Sequence, residues 1–238
     1  MLELVTLPPA FGMRNVSPFC LKTEMLLTAL ELPFTLSEEA DPRKAPKGKL
    51  PFLRADSQTI ADSELIVEYL DELTQGKVRA GLSARQHAQG LALTRLAEDH
   101  LYWMLVASRW LDKQWFPNVV EGFFHIAPGL IRPIVAGLAR REVERTYHLH
   151  GLGRHSKSEQ QGFARRDLQA LEDALPDNQD FLFGSEPNVY DFTVAAIMAG
   201  IFDQQPPTWI NELAAPHTRL RDYTERVQAT VGVYGRAL

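Results

Sequence analysis

The sequence has one cysteine among 238 residues. Cys20 has no partner for an internal disulfide, so a disulfide-stapled fold is excluded, as is a zinc site built from several cysteines. The first residues also lack the basic region and the apolar stretch of a secretory signal. We therefore expect a cytoplasmic protein.

Basic residues are fewer than acidic ones, 25 against 30, which gives a formal net charge of −5. This balance argues against a nucleic-acid partner, which would require a basic patch. Long apolar runs are lacking too. The uncharged run from Phe192 to Phe202 is far shorter than the roughly 18–20 residues of a membrane span, so no membrane span is expected.

Sequence signatures of several enzyme classes are absent, including the P-loop, the dinucleotide-binding glycine motif and the Gly-x-Ser-x-Gly elbow. All seven histidines lie beyond residue 86. His148, His150 and His155 form a loose group, but their spacing is irregular and no cysteine accompanies them. We therefore expect no metal site.

The first 75 residues alternate between strand and helix signals. Ser17 is a good helix cap and Pro18 suits the first helical position, so a helix is predicted from there to Pro33. A second helix is predicted from Asp62-Ser63, because apolar residues recur at helical spacing after it. The predicted strands are 2–7, 33–37, 50–53 and 59–61, with a charged loop at 41–49.

After a linker at 74–82, every pattern is helical. Ser156 with Glu159 forms a capping-box pattern, and Asn188 with Asp191 forms another. Pro128 and Pro133 are expected to break or bend the second helical stretch. The predicted helical stretches are 83–115, 117–149, one from 156 to about 175, one from 188, and 216–231.

Four motifs occur in the order found in the glutathione S-transferases, and the chain resembles that family. They are Ser17-Pro18-Phe19-Cys20, Lys47-Gly48-Lys49-Leu50-Pro51-Phe52, Ala61-Asp62-Ser63 and Pro187-Asn188-Val189-Tyr190-Asp191. The long loop Pro8–Val16 and the segment Arg154-His155-Ser156 resemble one branch. That branch contains the failed-axon-connections and metaxin-like proteins and their bacterial relatives.

The resemblance implies an α/β thioredoxin-like N-terminal domain that binds glutathione, followed by an all-α C-terminal domain. The implied boundaries are residues 1–76 and 83–238. The resemblance further implies a homodimer, with glutathione as co-substrate, no metal, and a small hydrophobic electrophile as second substrate.

The resemblance also implies roles for individual residues. Ser17 would be catalytic, donating its hydroxyl to the glutathione sulfur. Ser63 would hold the γ-glutamyl carboxylate at a helix N-terminus, and Asp62 would pair with the γ-glutamyl ammonium. The glutathione-binding residues implied are Lys49, Leu50, Pro51, Asp62 and Ser63, with Pro51 cis in relatives. From the residues alone, Ser17, Asp62 and Ser63 fit simple helix caps equally well, and the isomer at Pro51 stays open.

Two other functions compete with a transferase. One is a glutathione-binding or metaxin-like adaptor without turnover. The other is a monothiol glutathione-dependent reductase that uses Cys20, although a small buried hydrophobe is the commoner role for such a residue. Large aromatic side chains in the first part of the helical domain could line a pocket for the electrophile. The candidates are Tyr102, Trp103 and Trp110.

Overall fold

The computed structural model describes residues 1–56, 58–125 and 128–237. Its first part contains a four-stranded sheet in the order β2-β1-β3-β4. Strand β1 runs parallel to β2 and antiparallel to β3, and β3 and β4 form an antiparallel hairpin. The strands are β1 Leu2–Thr6, β2 Phe34–Glu38, β3 Phe52–Ala55 and β4 Gln58–Ala61.

Two helices pack with this sheet, α1 Pro18–Ala29 and α2 Ser63–Leu73. Leu21 of α1 and Ile66 of α2 are fully buried in the same core as Leu4 of β1. Parallel strands need a crossover connection, and α1 supplies it between β1 and β2. This β-α-β-β-β-α arrangement confirms the thioredoxin-like first part expected from the sequence.

The rest of the described chain is helical. Helix α8 is apolar on all sides, and Ala195, Met198 and Ile201 on it are fully buried, so it forms the centre of the helical part. The helices are α3 Ala84–Arg95, α4 Tyr102–Trp110, α5 Phe116–Phe124, α6 Arg132–His150, α7 Lys157–Asp173, α8 Val189–Phe202, α9 Trp209–Ala214 and α10 Thr218–Val231. The all-α second part is thereby confirmed, and the boundaries at residues 76 and 83 stay predictions.

Two details differ from the sequence-based expectations, the role of Pro133 and the presence of helix α9. Pro133 lies in the first turn of α6, where a missing N–H costs nothing, so it does not bend a helix. Two parts of these expectations lie outside the described residues. They are residues 126 and 127 of the predicted helical stretch 117–149, and Leu238 at the end of the predicted domain 83–238. Helix α9 was not predicted. None of the described helices is long and apolar enough to cross a membrane.

A buried ion pair fastens α1 to the helical part. The Lys22 ammonium lies 2.5 Å from the Glu98 carboxylate, and the two side chains are only 6% and 5% exposed. Glu98 belongs to a π-helical segment, Leu96–Leu101, that joins α3 to α4. Burial raises the pKa of the Glu98 carboxyl, although the Lys22 charge lowers it in part.

Removing one partner of this pair leaves a buried, uncompensated charge. We expect Lys22→Met to lower the free energy of unfolding by about 3–5 kcal/mol, measured by urea denaturation. The double variant Lys22→Met/Glu98→Met removes both charges and should regain most of that loss. Equal stability of the single variant and the wild type would contradict this role for the pair.

Candidate functional site

Ser17 caps helix α1, as predicted. Its backbone is extended, and its hydroxyl oxygen accepts a hydrogen bond from the Cys20 N–H at 3.4 Å. The Ser17 N–H donates to Asn15 Oδ1 at 3.0 Å, and the Asn15 side-chain amide donates to the Leu7 carbonyl at 3.1 Å. Asn15 therefore fixes the chain between β1 and α1. Ser17 itself is 9% exposed.

The loop before Ser17 is tied to the C-terminal tail, a contact that sequence analysis missed. The Arg14 N–H donates to the Gly235 carbonyl at 2.8 Å, and the Ala237 N–H donates to the Gly12 carbonyl at 2.9 Å. The Phe11 carbonyl accepts from the Gln205 N–H at 2.8 Å. These contacts tie the loop before α1 to distant parts of the chain.

The peptide bond between Leu50 and Pro51 is cis, in agreement with the family pattern. Within the described ranges, neither the N–H nor the C=O of Leu50 has a hydrogen-bond partner. Lys49 is exposed and likewise has no partner among these residues. This segment therefore presents unused polar backbone groups and one ammonium. A second cis bond, Gln205–Pro206, was not predicted.

Asp62, and not Ser63, is the cap of helix α2. The Asp62 carboxylate accepts from the Glu64 N–H at 2.9 Å and is otherwise exposed. Asp62 has a φ of +101°, which turns the chain sharply out of β4. Ser63 is 6% exposed, and its hydroxyl has no hydrogen-bond partner in the part of the chain that the structure describes. A free hydroxyl at a helix start suits an anion.

These segments meet at one small buried cluster. Cys20 comes from the first turn of α1, Leu50 from the residue before the cis proline, and Ala61 from the residue before Asp62. Among the described residues, the members of this cluster are Val5, Cys20, Ala45, Leu50, Phe52 and Ala61, with Leu7 packed on it. The structure thus brings together the three segments that carry the predicted catalytic residue Ser17 and the predicted glutathione-binding residues.

Cys20 is fully buried. Burial raises the pKa of its thiol to about 12, and hydrogen bonds from the Leu7 backbone and the Ser17 side chain offset only part of this effect. A reactive cysteine needs exposure and a lowered pKa. The environment of Cys20 therefore disfavours the monothiol mechanism.

The three candidate pocket aromatics lie in different surroundings. The Tyr102 ring packs edge-on against Phe19 of α1, with ring centroids 4.8 Å apart. Trp110 stacks on Phe123 at 5.7 Å. Trp103, one residue after Tyr102 and therefore about 100° around the helix, contacts His150 of α6 at 5.1 Å.

Phe11 connects the loop before Ser17 to the same aromatic group. Its ring centroid lies 5.0 Å from that of Phe123 and 4.9 Å from that of Trp115. A Cβ on Gly122 would lie 2.4 Å from the Phe11 ring, so this approach requires glycine. Tyr102 therefore contacts α1 directly, while Trp110 is linked to the loop before α1 through Phe123.

The histidine group makes ordinary structural contacts. His150 Nε2 lies 3.0 Å from the Asp99 carbonyl oxygen, and the His155 ring packs edge-on against Phe163. Among the residues described, no three His, Cys, Asp or Glu side chains are grouped to hold a metal ion.

Sequence analysis also missed Arg109, a buried arginine that contacts the residue before Ser17. A signal for it was present. Arg109 is the only charged residue in the apolar stretch between His100 and Asp112. A lone charge in such a stretch is typical of a buried, specific contact.

Two family models match the chain. The glutathione S-transferase N-terminal domain matches residues 18–115, and the glutathione S-transferase C-terminal domain matches residues 164–227. The chain is 31% identical over 238 residues to an isoprene-epoxide–glutathione S-transferase of Rhodococcus sp. strain AD45. That alignment covers 96% of this chain and 98% of the relative. The chain therefore belongs to the glutathione S-transferase family.

Other relatives agree with the branch expected from the sequence. Failed axon connections of Drosophila melanogaster is 29% identical, covering 93% of this chain and 53% of that protein.

A crystal structure of a Methylobacterium radiotolerans glutathione S-transferase, in complex with glutathione sulfonate, has the same fold. Its TM-score is 0.63 at 16% identity, covering 100% of this chain and 97% of that one.

Proposed function

We propose that this protein is a serine-type glutathione transferase that conjugates glutathione to a small hydrophobic electrophile. The observation that carries the proposal is the convergence of three segments on the cluster that contains Cys20, Leu50 and Ala61. The family pattern assigns Leu50 itself to glutathione, Ala61 precedes Asp62, and the Cys20 N–H donates to the Ser17 hydroxyl. Glutathione carries two carboxylates and a thiol. The polar groups around this cluster are of the kinds that bind such groups.

The γ-glutamyl carboxylate would bind at the start of α2. The Ser63 hydroxyl has no partner among the described residues, and a helix N-terminus favours an anion through its free N–H groups and dipole. The exposed Asp62 carboxylate would pair with the γ-glutamyl ammonium. The Leu50 backbone would bind the cysteinyl part, and the Lys49 ammonium would pair with the remaining carboxylate.

Ser17 would then hold the thiol as thiolate. A free thiol with a pKa near 8.5 is only a few per cent ionised at neutral pH. The dipole of α1 contributes about 0.3–1 kcal/mol, and a hydroxyl hydrogen bond to the anion about 1.5–3 kcal/mol. At about 1.36 kcal/mol per pKa unit, the two together lower the pKa of the thiol by about 1.3–3 units, to about 7 or below, so a large share of it would be thiolate at neutral pH.

The reaction would form one carbon–sulfur bond at the electrophile. With an epoxide, the thiolate attacks a ring carbon, the C–O bond breaks, and the oxygen takes a proton from water. The name of the Rhodococcus relative makes an epoxide the first substrate class to test. Tyr102 and Trp110 are the proposed pocket residues. Trp103 is a less favoured candidate, because its ring packs on His150 of α6.

Calorimetric titration with glutathione tests the binding step. We expect saturable binding by the wild type and at least about tenfold weaker binding by Ser63→Ala, as for a lost hydrogen bond to a charged group. Ser83→Ala, which removes a cap hydroxyl from α3, is the matched control and should bind like the wild type. Absence of binding by the wild type would overturn the proposed function.

A glutathione-binding adaptor without turnover is the second candidate. The similarity to Failed axon connections and to mouse Metaxin-1 favours it, as does the 9% exposure of Ser17. Binding of glutathione without turnover of any epoxide or aryl halide would support the adaptor over the transferase. The homodimeric state and the cytoplasmic location stay predictions.

A further inference from the structure

Arg109 lies in the last turn of α4 and is 5% exposed. Its Nη1 donates to the Val16 carbonyl at 3.0 Å, and its Nη2 donates to the Gly200 carbonyl at 2.9 Å. Its Nε donates to the side-chain oxygen of Gln204, a residue that is itself fully buried. Val16 immediately precedes Ser17, so the guanidinium lies one peptide group from the proposed catalytic residue.

All of these partners are uncharged. No carboxylate among the described residues forms an ion pair with Arg109. Burial lowers the pKa of the guanidinium to about 10, so it keeps its proton at neutral pH. The titratable groups that face it are Tyr102 and, beyond it, Cys20. Burial raises the pKa of both, so both stay neutral and neither supplies a counter-charge.

A buried charge without a counter-ion is costly, and proteins normally pair it or replace it. A glutamine or methionine could fill this position without a charge to bury. The negative end of α8 at Gly200 favours this cation, and an anion that arrives with the ligand would supply the counter-ion. The proposed anion is the glutathione sulfur, which would lie beside Ser17.

We propose that Arg109 is a positioning residue of the transferase, whose buried positive charge favours the ionised form of the thiol bound beside Ser17. This inference rests on the proposed function. The attraction acts through the interior, where charges are screened less than in water. It adds to the α1 dipole, which has the same sign at that end.

The test measures thiolate absorbance near 240 nm against pH, with glutathione bound to the protein. We expect Arg109→Met to raise the apparent pKa of the bound thiol by about one unit, a tenfold loss of thiolate at low pH. Arg109→Lys keeps the charge and should restore most of the wild-type value. Arg140→Met is the matched control, since Arg140 also donates to a carbonyl, that of Leu111 at 2.8 Å.

A second variant covers the case in which loss of Arg109 prevents folding. Gln204→Glu keeps the Arg109 side chain and its hydrogen bonds but adds the missing counter-ion, so it should also raise the pKa of the bound thiol. The inference would be overturned if either variant, Gln204→Glu or Arg109→Met, is folded and binds glutathione but leaves the pKa of the bound thiol unchanged. A wild type that binds no glutathione would instead overturn the proposed function.

Discussion

Replacing Ser17 by alanine is expected to lower the rate of glutathione conjugation by about 100-fold or more, as when an activating donor is lost. The variant should still bind glutathione, because the proposed carboxylate contacts lie at Lys49 and Ser63. Without the hydroxyl, most of the bound thiol would stay protonated at neutral pH. Steady-state kinetics with an epoxide and with a chromogenic aryl halide, over a range of pH, measure the effect.

Two controls make the Ser17 result specific. Ser17→Ala also removes a helix cap, which alone costs about 0.5–2 kcal/mol of stability. Ser156→Ala removes an equivalent cap at the start of α7, where the Ser156 hydroxyl accepts from the Glu159 N–H, and should leave the rate unchanged. Cys20→Ala should also stay active. Activity that survives Ser17→Ala and is lost in Cys20→Ala would establish the monothiol mechanism instead.

Local signals made much of the fold predictable. A helix start is encoded within about four residues, because a cap side chain reaches only the N–H groups of the first turn. The starts of α1, α7 and α8 therefore followed from Ser17-Pro18, from Ser156 with Glu159 and from Asn188 with Asp191. The motifs around Pro51 and Ser63 indicated the candidate site in the same way, because family motifs are short segments that can be recognised without the structure.

Long-range contacts could not be predicted in the same way. Arg109 and Val16 are 93 residues apart, and Lys22 and Glu98 are 76 apart. Nothing in the neighbouring sequence of either partner specifies the other, because packing of the two parts decides the pairing. The same holds for the tail residue Ala237, whose N–H donates to the Gly12 carbonyl. The partners of Arg109 therefore could not be predicted, although its lone charge in an apolar stretch is visible in the sequence. The residues proposed to touch glutathione lie in short local motifs and could be named.

The second large effect is expected at Asp191, which is fully buried at the start of α8. Its Oδ1 accepts from the Leu182 N–H at 2.9 Å and from the Tyr223 hydroxyl at 2.7 Å. Its Oδ2 accepts from the Asn188 N–H at 2.9 Å and from the Asn188 side-chain amide. One carboxylate therefore joins a loop, a helix cap and helix α10.

Asp191→Ala would leave several buried donors without an acceptor, and we expect it to lower the free energy of unfolding by about 3–5 kcal/mol. Burial raises the pKa of Asp191, so the cost of burying the carboxylate charge offsets part of the stabilisation from its four hydrogen bonds.

Glu159→Ala is the matched control. Glu159 makes the same capping contacts to Ser156, but its side chain is 59% exposed, and water replaces them. We expect a loss of only about 0.5–1 kcal/mol there. Urea denaturation of both variants measures the difference, and equal losses would show that the capping geometry matters while its burial does not.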